Sequence, residues 1–214
     1  MTGPVMHVRD VFVETARVVR DALSDPVVGA AWEQPSVLEE QLVGGLAGHL
    51  ARGAVWVVGD YLDAEVPDAP LVGSAGEYFA SVTKAADTTF HRDIRDRGAQ
   101  VGAQGQASLC AEVTTRLDAL ATRLGAEPDA RLLGVAGGVL TMRLDDYLET
   151  RIVEQVVHLD DLARSVGREP WTVPVAAQDV VLHVGVETGS RRHGFAEMLR
   201  CLYRTHLEPA LPVL

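Results

Sequence analysis

The chain has 214 residues, 47% hydrophobic and 23% charged, with a formal net charge of −11. That apolar share supplies a core without disulfide or metal staples, and the acidic balance argues against a nucleic-acid or anionic-membrane partner. Cys110 and Cys201 are too few and too far apart for a disulfide framework, no signal peptide is legible, and no apolar run approaches the roughly 18 residues of a membrane span, so a cytoplasmic protein is expected.

The first element is a helix, since Val11, Phe12, Ala16, Val19 and Leu23 recur at helical spacing. Ser36 with Glu39 three residues on has the form of a capping box. It predicts a second helix carrying Leu38, Leu42, Leu46, His49, Gly53 and Trp56 on one face. "VPDAPLVG" reads as a loop, and Ser74 with Glu77 as another capping box opening a helix through Gly98. A further helix has Leu109, Val113, Leu117, Leu120 and Leu124 on one face, and residues 126–140 read as a connection rich in Pro and Gly. The last long helix is predicted from about Met142 to Val166, ended by Gly167 and Pro170. The tail reads as two shorter helices, with "VVLHVGV" the one place where a strand is open. These elements predict an all-α protein of a single domain over 1–214: a helix bundle followed by extra C-terminal helices over about 172–214.

In the stretch "TRIVEQVVHLDDLARSVG", Arg151, Glu154, His158 and Asp161 follow at steps of three, four and three. With Glu154 at zero, His158 falls at about 40°, Arg151 at about 60° and Asp161 at about −20°, a band beside the core-facing side. Two readings stand. The band is a solvated stripe with ion pairs such as Arg151–Glu154, or Glu154 and His158 converge on a metal from adjacent turns. His49, on the apolar face of another helix, is either a hydrogen-bonded core residue or the third ligand. Two nitrogens and an oxygen with open positions suit a catalytic metal site.

"AWEQPSVLEEQLVGGLAGHL" resembles the W-x-x-P-S…His segment of the mycothiol-dependent maleylpyruvate isomerase N-terminal domain family, within the DinB-like metalloprotein superfamily. "RLDDYLETRIVEQVVHLDDLA" is similar to that family's R-x-x-E-x-x-x-H-x-x-D helix. The resemblance implies a DinB-like four-helix bundle over about 5–166, with His49, Glu154 and His158 as metal ligands and Arg151 and Asp161 as catalytic or supporting residues. It implies a divalent metal, zinc first and nickel or manganese as alternatives, together with mycothiol or a similar thiol. The activity it implies is a thiol-dependent transferase or isomerase acting on a small-molecule substrate. The alternative is a non-catalytic metal- or small-molecule-binding protein, a stress or resistance factor. Monomers and homodimers are both compatible with the resemblance.

Overall fold

A computed structural model describes residues 6–85 and 88–204. In chain order these form α1 (Val8–Leu23), α2 (Pro26–Ala30), α3 (Val43–Ala51), a π-helical turn (Arg52–Trp56), α4 (Val57–Asp63), β1 (Leu71–Val72), α5 (Ala75–Ala85), α6 (Thr88–Gly102) and α7 (Gln106–Leu124). Then come β2 (Leu132–Val135), a 3-10 turn (Ala136–Gly138), β3 (Leu140–Arg143), α8 (Leu144–Ser165), α9 (Val175–His193) and α10 (Phe195–Tyr203). The fold is the all-α, DinB-like bundle, with a small sheet at one end.

Two apolar clusters fill the space between α1, the α3–α4 rod, α7 and α8. One holds Leu23, Leu46, Leu50, Leu109, Val113 and Leu159; the other holds Phe12, Val58, Leu120, Leu133, Met142 and Leu148. The five α7 positions read from spacing are all buried, as are Val11, Phe12, Ala16, Val19 and Leu23 of α1. Arg9 ties the helix ends together, donating to the carbonyls of Leu124 (3.0 Å), Glu127 (2.6 Å) and Pro128 (3.1 Å) and to Asp145 (2.7 Å). α8 begins one residue after β3, carries Asp145 and Asp146 in its first turn where the helix dipole favours anions, and ends before Gly167 at φ 65°.

Several expectations need correction. The second helix starts at Val43, not at Ser36: the Ser36 hydroxyl accepts from the Leu38 amide, the Ser36 amide bonds the Gln41 carbonyl, and Pro35 bridges to Leu42. Glu40 takes φ 58°, so the segment closes on itself as a loop. The second capping box holds in its first half, Ser74 Oγ accepting from the Glu77 amide at 3.1 Å. The Glu77 carboxylate reaches the Gly73 amide instead of that of Ser74.

The connection over 126–140 contains β2 and the start of β3, and "VPDAPLVG" supplies β1; the order is β1-β3-β2, with β1 parallel and β2 antiparallel to β3. Strands of two and four residues are too short to show a period of two, which hid them. "VVLHVGV" is helical, lying within α9 with Val184 buried and Leu182 exposed. Positions 86–87, in the helix expected to run unbroken to Gly98, and the end of the tail from 205 lie outside the described residues.

Candidate metal centre

His49 lies in the last turns of α3, just before the π-helical turn, and points across to α8. There Glu154 and His158 stand one turn apart on the same side. His49 Nε2 and His158 Nε2 are 3.1 Å apart, and Glu154 Oε2 lies 3.7 Å from the first and 3.4 Å from the second. The two imidazole rings meet edge to face, 88° between planes. The three side chains keep only 16, 19 and 24% of their surface for His49, His158 and Glu154, so the band is a recessed cluster and not a solvated stripe.

Each neighbour has a distinct part. Asp161 Oδ2 is 3.0 Å from His158 Nδ1, which fixes that nitrogen as the N–H donor and leaves Nε2 facing the cluster. Arg151 is buried; its Nε donates to Thr150 Oγ1 (3.0 Å), its Nη1 to the Gly53 carbonyl (2.7 Å), and its guanidinium carbon lies 4.8 Å from the Tyr147 ring centre. Its hydrogen bonds thus run to the π-helical turn and to Thr150, while its charge still acts on Glu154.

Burial alone would drive charge off this cluster, and its hydrogen bonds reverse that at two of three positions. Burial opposes the His158 cation, but Asp161 and Glu154 outweigh it and push its pKa up to about 9. Burial would raise Glu154, yet the hydrogen bonds from His158 and His49 and the Arg151 charge hold it well below the usual carboxylate range. His49 is pulled down, first by burial and then by the neighbouring His158, against the pull of Glu154. The metal-free cluster therefore pairs the Glu154 anion with the His158 cation beside a His49 imidazole that burial keeps from charging.

That arrangement fits a metal on the chemistry of its donors. Two ring nitrogens facing each other at 3.1 Å repel unless a cation, a proton or a metal, lies between their lone pairs. Ligand atoms about 2.0–2.1 Å from a tetrahedral zinc are about 3.3 Å apart, a spacing bracketed by the 3.1, 3.4 and 3.7 Å edges here. His49, Glu154 and His158 can each offer one ligand atom within 4.8 Å of the others. A groove of about 420 Å³, lined by Trp32, Gln41, Arg95 and Asp96 among others, lies apart from this cluster and includes none of the three.

Beyond the five residues read from sequence, Gln155 and the π-helical turn also meet at this centre. Gln155 is fully buried and donates from Nε2 to the Ala54 carbonyl at 3.1 Å. The available signal was a glutamine at about 100° on the α8 wheel, inside the apolar arc. Cys110 is half-buried against the first apolar cluster. Near the end of α9, Arg191 pairs with Glu187 and Arg192 donates to the Phe79 carbonyl, so both cations have partners within the fold. Among the described residues no helix is long and apolar enough to cross a membrane.

No curated protein and no solved structure matches the chain with significance. The family model described as the mycothiol maleylpyruvate isomerase N-terminal domain matches residues 13–163, which span the bundle from α1 through His49 to Glu154 and His158 of α8. The chain belongs to the mycothiol maleylpyruvate isomerase N-terminal domain family.

Proposed function

We propose that this chain is a divalent-metal-dependent enzyme that uses a thiol, mycothiol or a close analogue, to transfer to or isomerise a small-molecule substrate. The observation that carries the reading is the recessed His49–Glu154–His158 triangle, two nitrogens and one carboxylate oxygen, fewer protein donors than a closed structural site uses. Zinc is the first expectation for that donor set, with nickel and manganese as alternatives. A divalent metal held there supplies Lewis acidity, making a thiol or water nucleophilic at neutral pH. The chain's own residues do the rest. Asp161 holds the His158 ring by its Nδ1–H, so Nε2 is presented to the centre. Glu154 brings the negative charge that offsets the metal; against its burial, hydrogen bonds from His158 and His49 and the Arg151 charge keep that carboxylate ionised. The proton on His158 Nε2 must leave as the metal enters.

The test uses protein loaded with cobalt(II). Adding mycothiol is expected to produce a sulfur-to-cobalt charge-transfer absorption in the near ultraviolet, and thiol-dependent conversion of an electrophilic small molecule should disappear in Glu154→Gln. Protein that holds the metal but gives neither the absorption nor turnover would favour the non-catalytic metal-binding reading instead.

A further inference from the structure

α8 does more at this centre than carry two side chains of the triangle. The rod bearing His49 is interrupted directly after α3: in the turn Arg52–Trp56 the Val57 amide bonds back five residues to the Arg52 carbonyl. A turn widened in this way holds one residue too many, disrupts the i→i−4 ladder, and leaves carbonyls to find other donors. Two such carbonyls have side-chain partners from α8. Gly53 O accepts from Arg151 Nη1 at 2.7 Å, and Ala54 O accepts from Gln155 Nε2 at 3.1 Å. Arg151 and Gln155 are themselves one turn apart and enclose Glu154 in sequence. Gly53 also lies against the His49 ring, where an added Cβ would come within 3.4 Å of Cε1.

We propose that Arg151 and Gln155 are positioning residues, a two-point clamp that keeps the turn after His49 wide and so holds His49 in register with Glu154 and His158. The proposal rests on the metal-centre reading above. If the turn relaxed to a regular helix, the parts of the rod on either side would rotate by about 100° and shift by about 1.5 Å relative to each other. α8 packs against both parts, so the His49 imidazole would leave the triangle. Because the donors stand on the same helix as Glu154 and His158, the three ligand-forming side chains are fixed to one reference. Gln155 is the cleaner of the two prongs, since it is neutral and its donor serves a backbone carbonyl. Its Oε1 is buried without a hydrogen-bond partner, so the whole value of the amide here lies in its N–H group.

The test compares wild type, Gln155→Leu, Arg151→Lys and Arg151→Met, each titrated with cobalt(II) and followed by its visible absorption. Gln155→Leu is expected to bind cobalt about 10–100-fold more weakly, with an altered visible band, the size of loss typical when support for a ligand is removed. Arg151→Lys, which keeps a donor for Gly53 O, should retain more affinity than Arg151→Met and a band closer to wild type. A merely structural role would lower the melting temperature of the variants while leaving the band of the folded protein unchanged. Wild-type affinity and spectrum in Gln155→Leu, or equal behaviour of the two Arg151 variants, overturns the clamp alone. Wild type that binds no cobalt overturns the metal reading and the clamp together.

Discussion

On the side of α3 that meets α6, backbone lies on backbone. A Cβ added at Gly48 would sit 2.2 Å from the Gly98 carbonyl oxygen, and one at Gly102 would sit 2.1 Å from the Gly44 oxygen. Trp32 seals that crossing, its Nε1 donating to Gly102 O at 3.1 Å. On the side that meets α8, the same helix and the turn after it keep their distance, and the gap is bridged by His49, Glu154, His158, Arg151 and Gln155. One face has no room for a methyl group; the other is spaced by long polar side chains. The comparison teaches how a polar cluster is accommodated inside a bundle: α3 is held by glycine contacts behind it, so the polar side chains in front need not also hold the helices together.

Four changes sharpen or break that contrast. The largest effect is expected on the closed face, where Gly48→Ala forces α3 and α6 apart. Overpacking against backbone should cost about 3 kcal/mol, a fall of about 6–12 °C in melting temperature, while the folded protein still binds metal. Unchanged thermal unfolding would mean that glycine contact does not set the spacing. On the open face, Glu154→Gln should weaken cobalt binding at least about 100-fold, about 2.8 kcal/mol; a calorimetric titration matching wild type would remove the carboxylate from the centre. Asp161→Asn should weaken binding about 10–100-fold. It should also lower the His158 pKa from about 9, read by NMR titration of the metal-free protein.

The smallest change is in pH alone. The His158 proton must be displaced by the metal, so affinity should rise about tenfold for each pH unit between 7 and about 9 and level off above it. Affinity flat across that range would mean that His158 is neutral or is not a ligand. Metal-free stability should run the other way. The His158 pKa is raised on folding, so its contribution is complete below about pH 6.5 and is lost as pH rises through about 9. Glu154, held low, contributes above the ordinary carboxylate range, and that contribution is lost only as pH falls through its depressed pKa.

Much of the fold was legible because α1, α7 and α8 bury their apolar stripes at regular spacing. The three residues of the triangle could be named from a histidine on an apolar face and an acid–histidine pair four apart. What stayed hidden depended on tertiary contact. Ser36 and Glu39 satisfy a capping-box pattern, yet the Pro35–Leu42 bridge and the positive φ of Glu40 make the segment a loop. Nothing in "RGAVW" marks a π-helical turn, because the widened register is supported from α8. The glycines did leave a trace: Gly44 and Gly48 on α3, and Gly98 and Gly102 on α6, are four apart and so align on one face of each helix, the pattern of a close crossing. Arg151 read as a partner for Glu154, and its hydrogen bonds run to Gly53 and Thr150 because a buried guanidinium needs fixed acceptors.

The central claim is that the His49–Glu154–His158 triangle holds one divalent metal. Metal content per chain, measured by mass spectrometry on protein purified without a polyhistidine tag, tests it most directly in wild type and in His158→Ala. The account predicts close to one divalent ion per wild-type chain and almost none in the variant. Wild type that stays metal-free after incubation with zinc, nickel and manganese, or a variant that carries as much metal as wild type, would contradict it.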